Sequence, residues 1–446
     1  MTGSSGGAAT PAPQGRLVRL LNRLLIPAGA DPAAAPVLLA RGLRGLVDGA
    51  MAVLLPAYLV ALGFELFTVG LIATTTLFGS ALATLAVGAW GHRFGSRTLL
   101  CAAALLMAAT GLAFAGLQSL WPLLLVAFVG TLNPSSGDVS VFLPLEHARL
   151  AGAARGQART ALFARYSLVG AGCGAVGALG AALPQWFAQT AGWPLLDALR
   201  GMFVVYAAVG LVVWGLYRRV PAHSPADGQA DGHAGRQAGG GGASSTPPAT
   251  PPTPLGASRA VVVRLAALFS VDAFAGGLLI NALMALWLFE RFGLSLAQAG
   301  VYFFWAGLLG AASQLVAPWV GKRIGLLNTM VFTHIPANIC LVLAALAPNL
   351  GLALVLLFVR AALSQMDVPT RTAFVMAAVT PAERVAAASF TAVPRSLAAA
   401  LGPTVGGALM TVGWIGAPLL ACGLLKIGYD LTLWRAMRGT KLNEDS

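Results

Sequence analysis

Charged residues are scarce. Lysine, arginine, aspartate and glutamate together make up 10% of the 446 residues, where a soluble domain carries about 25%. That shortage argues against an ordinary soluble enzyme. Cysteine is sparse too: Cys101, Cys173, Cys340 and Cys422 lie far apart inside apolar runs. With no CxxC pair there is neither zinc-type spacing nor a disulfide framework, so no metal and no cofactor are expected. Acidic residues number 15 against 28 basic ones, a net charge of +13. The surplus does not point to nucleic acid, because the arginines fall between apolar runs, as they do in cytoplasmic loops of membrane proteins. The first residues lack a charged start leading directly into an apolar core, so no cleavable signal is expected.

What is present is apolar. The chain is 57% hydrophobic with 54 glycines and no short repeat, a composition suited to closely packed membrane helices. A spanning helix needs about 20 mostly apolar residues. Twelve stretches qualify: 40–62, 68–90, 98–118, 121–143, 159–183, 199–217, 261–288, 298–320, 326–347, 351–374, 386–411 and 414–434. The expected fold is all-α, a polytopic membrane protein with twelve transmembrane helices in two six-helix pseudo-symmetric bundles.

Five segments follow. Residues 1–36 form an N-terminal tail, in which Arg16, Arg19 and Arg23 share one helical face, either as a helix on the membrane surface or as a solvated tail. Residues 37–219 form the first bundle and 260–437 the second. Between them, 220–259 is a Gly/Pro/Ser/Ala-rich linker that cannot bury a core and is expected to be disordered. A short tail closes the chain at 438–446. Nearly all loop arginines and lysines fall on the side of the termini and linker, so that side is expected to be cytoplasmic, in the cytoplasmic (inner) membrane.

The two bundles repeat each other. "GAWGHRFGSR" (88–97) and "PWVGKRIG" (318–325) place Arg93 and Arg323, and likewise Gly95 and Gly325, 230 residues apart. Gly63 and Gly293, Gly70 and Gly300, Arg165 and Arg395, Gly172 and Gly402, and Gly177 and Gly407 share that offset. Six spans return the chain to its starting side, so the copies lie parallel, related by an axis along the membrane normal.

Twelve spans, a central linker and the turn after the second span resemble the major facilitator superfamily. Gly88, Arg93, Gly95 and Arg97 match its loop signature; His92 stands where the family usually has aspartate, and Lys322 takes that place beside Arg323 and Gly325. "LGPTVGG" (401–407) is similar to the family's Gly-Pro bend. The resemblance implies a secondary transporter working by alternating access, with a cavity lined by spans 1, 4, 7 and 10. It implies a small-molecule substrate rather than catalysis. Proton-coupled export of a small organic or drug-like compound is the leading expectation. Proton-coupled uptake or exchange of a small anion is the alternative, and a sensor or scaffold that moves nothing is a third class. A monomer in a lipid bilayer is expected, with protons as a second partner.

Ionisable groups inside spans are costly and therefore functional candidates. Asp48, Asp138, Asp272 and Asp367 fall one each on spans 1, 4, 7 and 10. Asp272 has no close basic neighbour on its own span, which makes it a proton-coupling candidate, with Asp48 as the other. Asp138 with Arg165, and Asp367 with Arg395 or Arg371, are expected gate pairs. Arg360 is a candidate anchor for an anionic group, since guanidinium grips carboxylate or phosphate in a fixed fork. Asn281, Tyr58 and Trp305 are candidate cavity residues. Lys426 and Asp430, one turn apart, are expected to pair with each other. Glu146 and His147 are expected in a loop.

Overall fold

Apolar runs of this length fold as helices because a bilayer core offers backbone groups no partner outside the segment itself. The computed structural model describes residues 26–135, 140–221, 256, 258–380 and 383–439, with backbone alone at His92 and Val385. Arg16, Arg19, Arg23, Asp138, most of the linker and the last tail residues lie outside the described residues.

The first half contains α1 (Ala35–Ala61), α2 (Leu66–Trp90), α3 (Ser96–Gly116), α4 (Leu120–Val129), α5 (Phe142–Ala153), α6 (Gly156–Leu179), α7 (Leu183–Ala191) and α8 (Leu195–Arg218). The second contains α9 (Arg259–Gly277), α10 (Asn281–Phe292), α11 (Leu296–Ile324), α12 (Leu326–Ala345), α13 (Leu350–Ser364), α14 (Asp367–Ala378), α15 (Arg384–Thr411) and α16 (Ala417–Met437). Among the described residues, nine stretches are long and apolar enough to cross a membrane. The other three of the twelve crossings are the interrupted α4–α5, α15 with Arg384 and Arg395, and α16 with Lys426 and Asp430.

The 230-residue repeat holds at the level of backbone. Leu66, Ser96 and Leu120 open α2, α3 and α4; Leu296, Leu326 and Leu350 open α11, α12 and α13. Gly63 and Gly293 both end their helices in the left-handed region, at φ +88° and +64°, where a side chain would be strained.

Three crossings expected to be continuous are broken. The fourth is non-helical over the described residues 130–135, the seventh over Leu278–Ile280, and the tenth at Gln365 and Met366. The fourth also continues through α5, so Glu146 and His147 are helical rather than in a loop.

The halves meet along two seams, α2 against α15 and α6 against α11, with α10 resting on α1. Both seams are tightest on the face away from the termini. A methyl group on Gly70 would lie 2.2 Å from the Pro403 carbonyl, and one on Gly300 would lie 2.5 Å from the Ala178 carbonyl. The Thr404 amide donates to Thr74 Oγ1 at 2.9 Å across the first seam. On the terminus side, α5, α9 and α14 make no extensive contact with the opposite half. The molecule is therefore shut on one face and parted on the face that bears its termini.

Candidate functional site

A cavity of about 490 Å³ lies between the halves. Gly49 and Ala52 of α1 and Gly170 and Gly174 of α6 form one wall, where a methyl group on Gly49 would lie 2.0 Å from the Gly174 carbonyl, so α1 and α6 pack backbone to backbone. Opposite them stand Met284 of α10, Tyr302 and Phe303 of α11, and Arg360 of α13. The expected lining by spans 1, 4, 7 and 10 is thus incomplete. Spans 5 and 8 contribute whole faces, and the described part of span 4 contributes Ser135 alone.

The polar groups described in the cavity wall are basic or neutral. Arg41 and Arg360 line it, and no carboxylate does among the described residues. Arg360 Nε is buried with no hydrogen-bond partner among the described residues. Gln314 Nε2 donates to Gln365 Oε1 at 3.2 Å, tying α11 to the break in the tenth crossing. Asn281 opens α10 at the break in the seventh. The next amide, Ala282 N, donates to Pro134 O at 3.1 Å, so the broken fourth and seventh crossings meet at the cavity. The Pro134 carbonyl is free to accept this bond because the chain is not helical there.

Two proposed cavity residues lie elsewhere. Tyr58 is fully buried inside the first half; its hydroxyl donates to the Phe114 carbonyl at 2.6 Å and its ring packs on Phe203. Trp305 is 52% exposed on the outer face of α11, beside Phe304. Both were read from residue type, and aromatic residues in spans face lipid or neighbouring helices more often than water.

The intramembrane charges form two clusters, one per half. In the second half Asp272 is not without basic partners. Lys426 Nζ of α16 donates to its Oδ1 at 2.6 Å, and Arg371 of α14 lies 3.3 Å from its Oδ2. Arg371 also bonds to Asp367, one turn back on α14. Arg395 of α15 is near this cluster but bonds to neither aspartate. Lys426 and Asp430 do not pair with each other: Asp430 accepts from His334 Nδ1 at 3.0 Å and from Asn338 Nδ2 at 3.3 Å, both on α12.

In the first half Arg44 of α1 bonds to Glu146 of α5. Tyr166 and Tyr217 donate to the same carboxylate at 2.6 and 2.7 Å, and the Arg44 guanidinium stacks 4.0 Å over Phe142. Asp48 is partly buried one turn further along α1, near Arg44 and Arg41. Arg165 is partly buried on α6; Asp138, its expected partner, lies outside the described residues.

The basic turns are exposed. Arg93, Gly95, Lys322, Arg323 and Gly325 face solvent, Arg97 is half-buried, and Gly88 has open space where a side chain would stand. Arg323 stacks 4.0 Å over Trp319. Among the described residues these turns hold no ion pair.

Residues 37–364 match the sequence model of the Major Facilitator Superfamily. An uncharacterized membrane protein of Saccharomyces cerevisiae is 23% identical over 406 residues, 88% of this chain and 91% of its own length. Among solved structures, the xylose transporter XylE from E. coli in an inward open conformation is similar at 16% identity, with a TM-score of 0.68 over 92% of this chain and 97% of that one. The nucleoside transporter NupG is similar at 17% identity, with a TM-score of 0.65 over 92% of this chain and all of its own. At such identities the likeness is one of fold.

Proposed function

Because this chain belongs to the Major Facilitator Superfamily, a family of membrane transporters, we propose that it carries a small organic solute bearing an anionic group, by alternating access through the cavity between its halves. One observation carries the substrate class: a wall with two arginines, one of them with a buried unpartnered Nε, and no carboxylate among the described residues. A guanidinium nitrogen buried without a partner favours an anion that completes it. The amides of Asn281, Gln314 and Gln365 supply hydrogen bonds for polar groups of the solute, and Met284 and Phe303 supply apolar contact. About 490 Å³ suits a compound of sugar or drug size.

The cavity is complete within one chain, which favours a working monomer. The arginine-rich face carries the termini, which favours a cytoplasmic location for them in the inner membrane. Proton-coupled export is the second reading. The observation that favours it is a carboxyl inside the first crossing of each half, Asp48 partly buried and Asp272 buried, as proton carriers.

Thermal unfolding of the purified protein against organic anions, sugars, nucleosides and apolar cations tests the substrate class. A ligand at about 100 times its Kd adds about 2.7 kcal/mol of stability. An anion is expected to give the largest shift, and Arg360→Gln to abolish it. A leading shift from apolar cations, unchanged by Arg360→Gln, would favour the export reading instead.

A further inference from the structure

His334 and Asp430 form a buried pair on α12 and α16, away from the cavity. They are 4% and 1% exposed. The pair lies eight residues into α12 from its terminus-side end, about 12 Å along the helix axis. Buried ionisable groups in a membrane helix are costly unless they serve a purpose, and the solute cavity does not use these two.

Their surroundings decide what they can do. On α16 the titratable neighbours are Cys422, Lys426 and Tyr429. Against α12 also pack α14, with Asp367 and Arg371; α13, with Arg360; and α11, whose Lys322 and Arg323 are exposed at its end. Beyond them lie Asp272 of α9 and Arg395 of α15. Three carboxylates (Asp272, Asp367, Asp430) thus face three fixed cations (Arg371, Arg395, Lys426). Lys426 bonds Asp272 on α9 alone, and Asp430, one turn away on its own helix, acts on it only through its charge.

We propose that the His334–Asp430 pair is a proton-binding site whose occupancy sets the strength of the Lys426–Asp272 contact between the seventh and twelfth crossings. Next to a carboxylate the neutral ring carries its hydrogen on Nδ1 and donates it to Asp430. An incoming proton adds to the free Nε2 and makes an imidazolium, with no other bond broken. Histidine is the side chain suited to this step near neutral pH. Asp430 is then neutralised by His334 and draws less on Lys426. The existing 2.6 Å bond from Lys426 to Asp272 then meets less competing pull and fastens α9, the half-crossing next to the break at Leu278–Ile280. Acid tightens the terminus-side half of the seventh crossing, and alkali loosens it. The cluster gains one positive charge when protonated, so proton binding and an anion in the neighbouring cavity reinforce each other. The proposal rests on the transport reading for that last use alone.

The test is amide hydrogen exchange of the full chain in nanodiscs, without any solute, compared between about pH 8 and about pH 5 and corrected for the intrinsic pH dependence of exchange. In the wild type, amides of α9 and of Leu278–Ile280 are expected to be protected several-fold more in acid. His334→Gln should lack that response. Asp430→Asn, which removes the competing charge, should show the acid-level protection at both pH values. Equal protection of the wild type at both pH values, or a response retained in His334→Gln, overturns the proposal. Should His334→Gln fail to fold, a response retained in Asp430→Asn overturns it as well. A chain that binds no solute in the thermal panel yet shows this pH response loses the transport reading and keeps the proton site.

Discussion

The carboxylate of Glu146 gathers α1, α6 and α8 onto α5 through Arg44, Tyr166 and Tyr217. Both charged partners are almost wholly buried, at 2% and 0% exposure. Removing one member of such a pair leaves an uncompensated buried charge, which costs about 3–5 kcal/mol. Glu146→Ala is therefore expected to lower stability by that amount. Thermal unfolding in detergent measures it, and Glu146→Ala combined with Arg44→Leu should recover part of the loss. Nothing near Glu146 in the sequence signals this role. Its partners lie 102, 20 and 71 residues away, and the break before Phe142 makes the segment look like a loop. Asp272 misled for the same reason: Lys426 and Arg371 reach it from other crossings, and one-dimensional neighbours say nothing of them. Arg360 and Asn281, by contrast, do line the cavity, because a polar group within an apolar span has few places to go but inward.

Outside the membrane, Glu383 caps the end of the linker. Its carboxylate accepts from the Gly256 amide, from the Ser258 amide at 3.3 Å and from the Thr380 hydroxyl at 2.9 Å. These hydrogen bonds, those involving Ser258 and Gly256 foremost, hold its pKa down at about 2 from the ordinary 4.5. A depressed carboxylate contributes its stability in full above its ordinary pKa and loses it as pH falls from about 4.5 to about 2. The linker end is thus expected to stay docked at neutral pH and to become protease-sensitive through that acid window. Glu383→Gln should be protease-sensitive already at neutral pH.

At the scale of elements, the seams between halves depend on glycine. The Gly70 position leaves no room for a methyl group against the Pro403 carbonyl. Gly70→Ala is expected to force α2 and α15 apart on the sealed face. In a background free of the four native cysteines, a cysteine at Thr404 should react faster with a membrane-impermeant maleimide added on that face. Equal labelling with and without Gly70→Ala would show that the seam yields elsewhere. The repeat itself was legible down to helix starts, because a common offset survives wherever turn residues do. The roles of paired glycines were not. Gly172 has nothing within 4 Å, whereas its counterpart Gly402 is pressed against Gly277. Equivalent positions in two copies face different neighbours once the copies are set against each other. The three broken crossings left only faint marks, Pro134 in the fourth and Gly276–Gly277 in the seventh.

For the whole molecule, the twelve-crossing arrangement predicts where reporters will read. Fusions within 220–259 are expected to report the cytoplasm, and fusions after Trp193 the opposite side. An opposite result from the linker would invert the orientation. Every ion pair among the described residues also stays within one half: Arg44–Glu146 and Arg200–Asp197 in the first, and the Asp272, Asp367 and Asp430 pairs in the second. What joins the halves is glycine against carbonyl, a few amide hydrogen bonds and apolar contact. Rocking one half on the other breaks none of these pairs, so they add nothing to its barrier for dissolved ions to screen. Swapping sodium chloride between low and high concentration should leave the swinging rate nearly flat, as read by fluorescence from dyes on the two halves. A machine wired this way uses these pairs to hold each body rigid, and none of them ties its motion to the saltiness of the water around it.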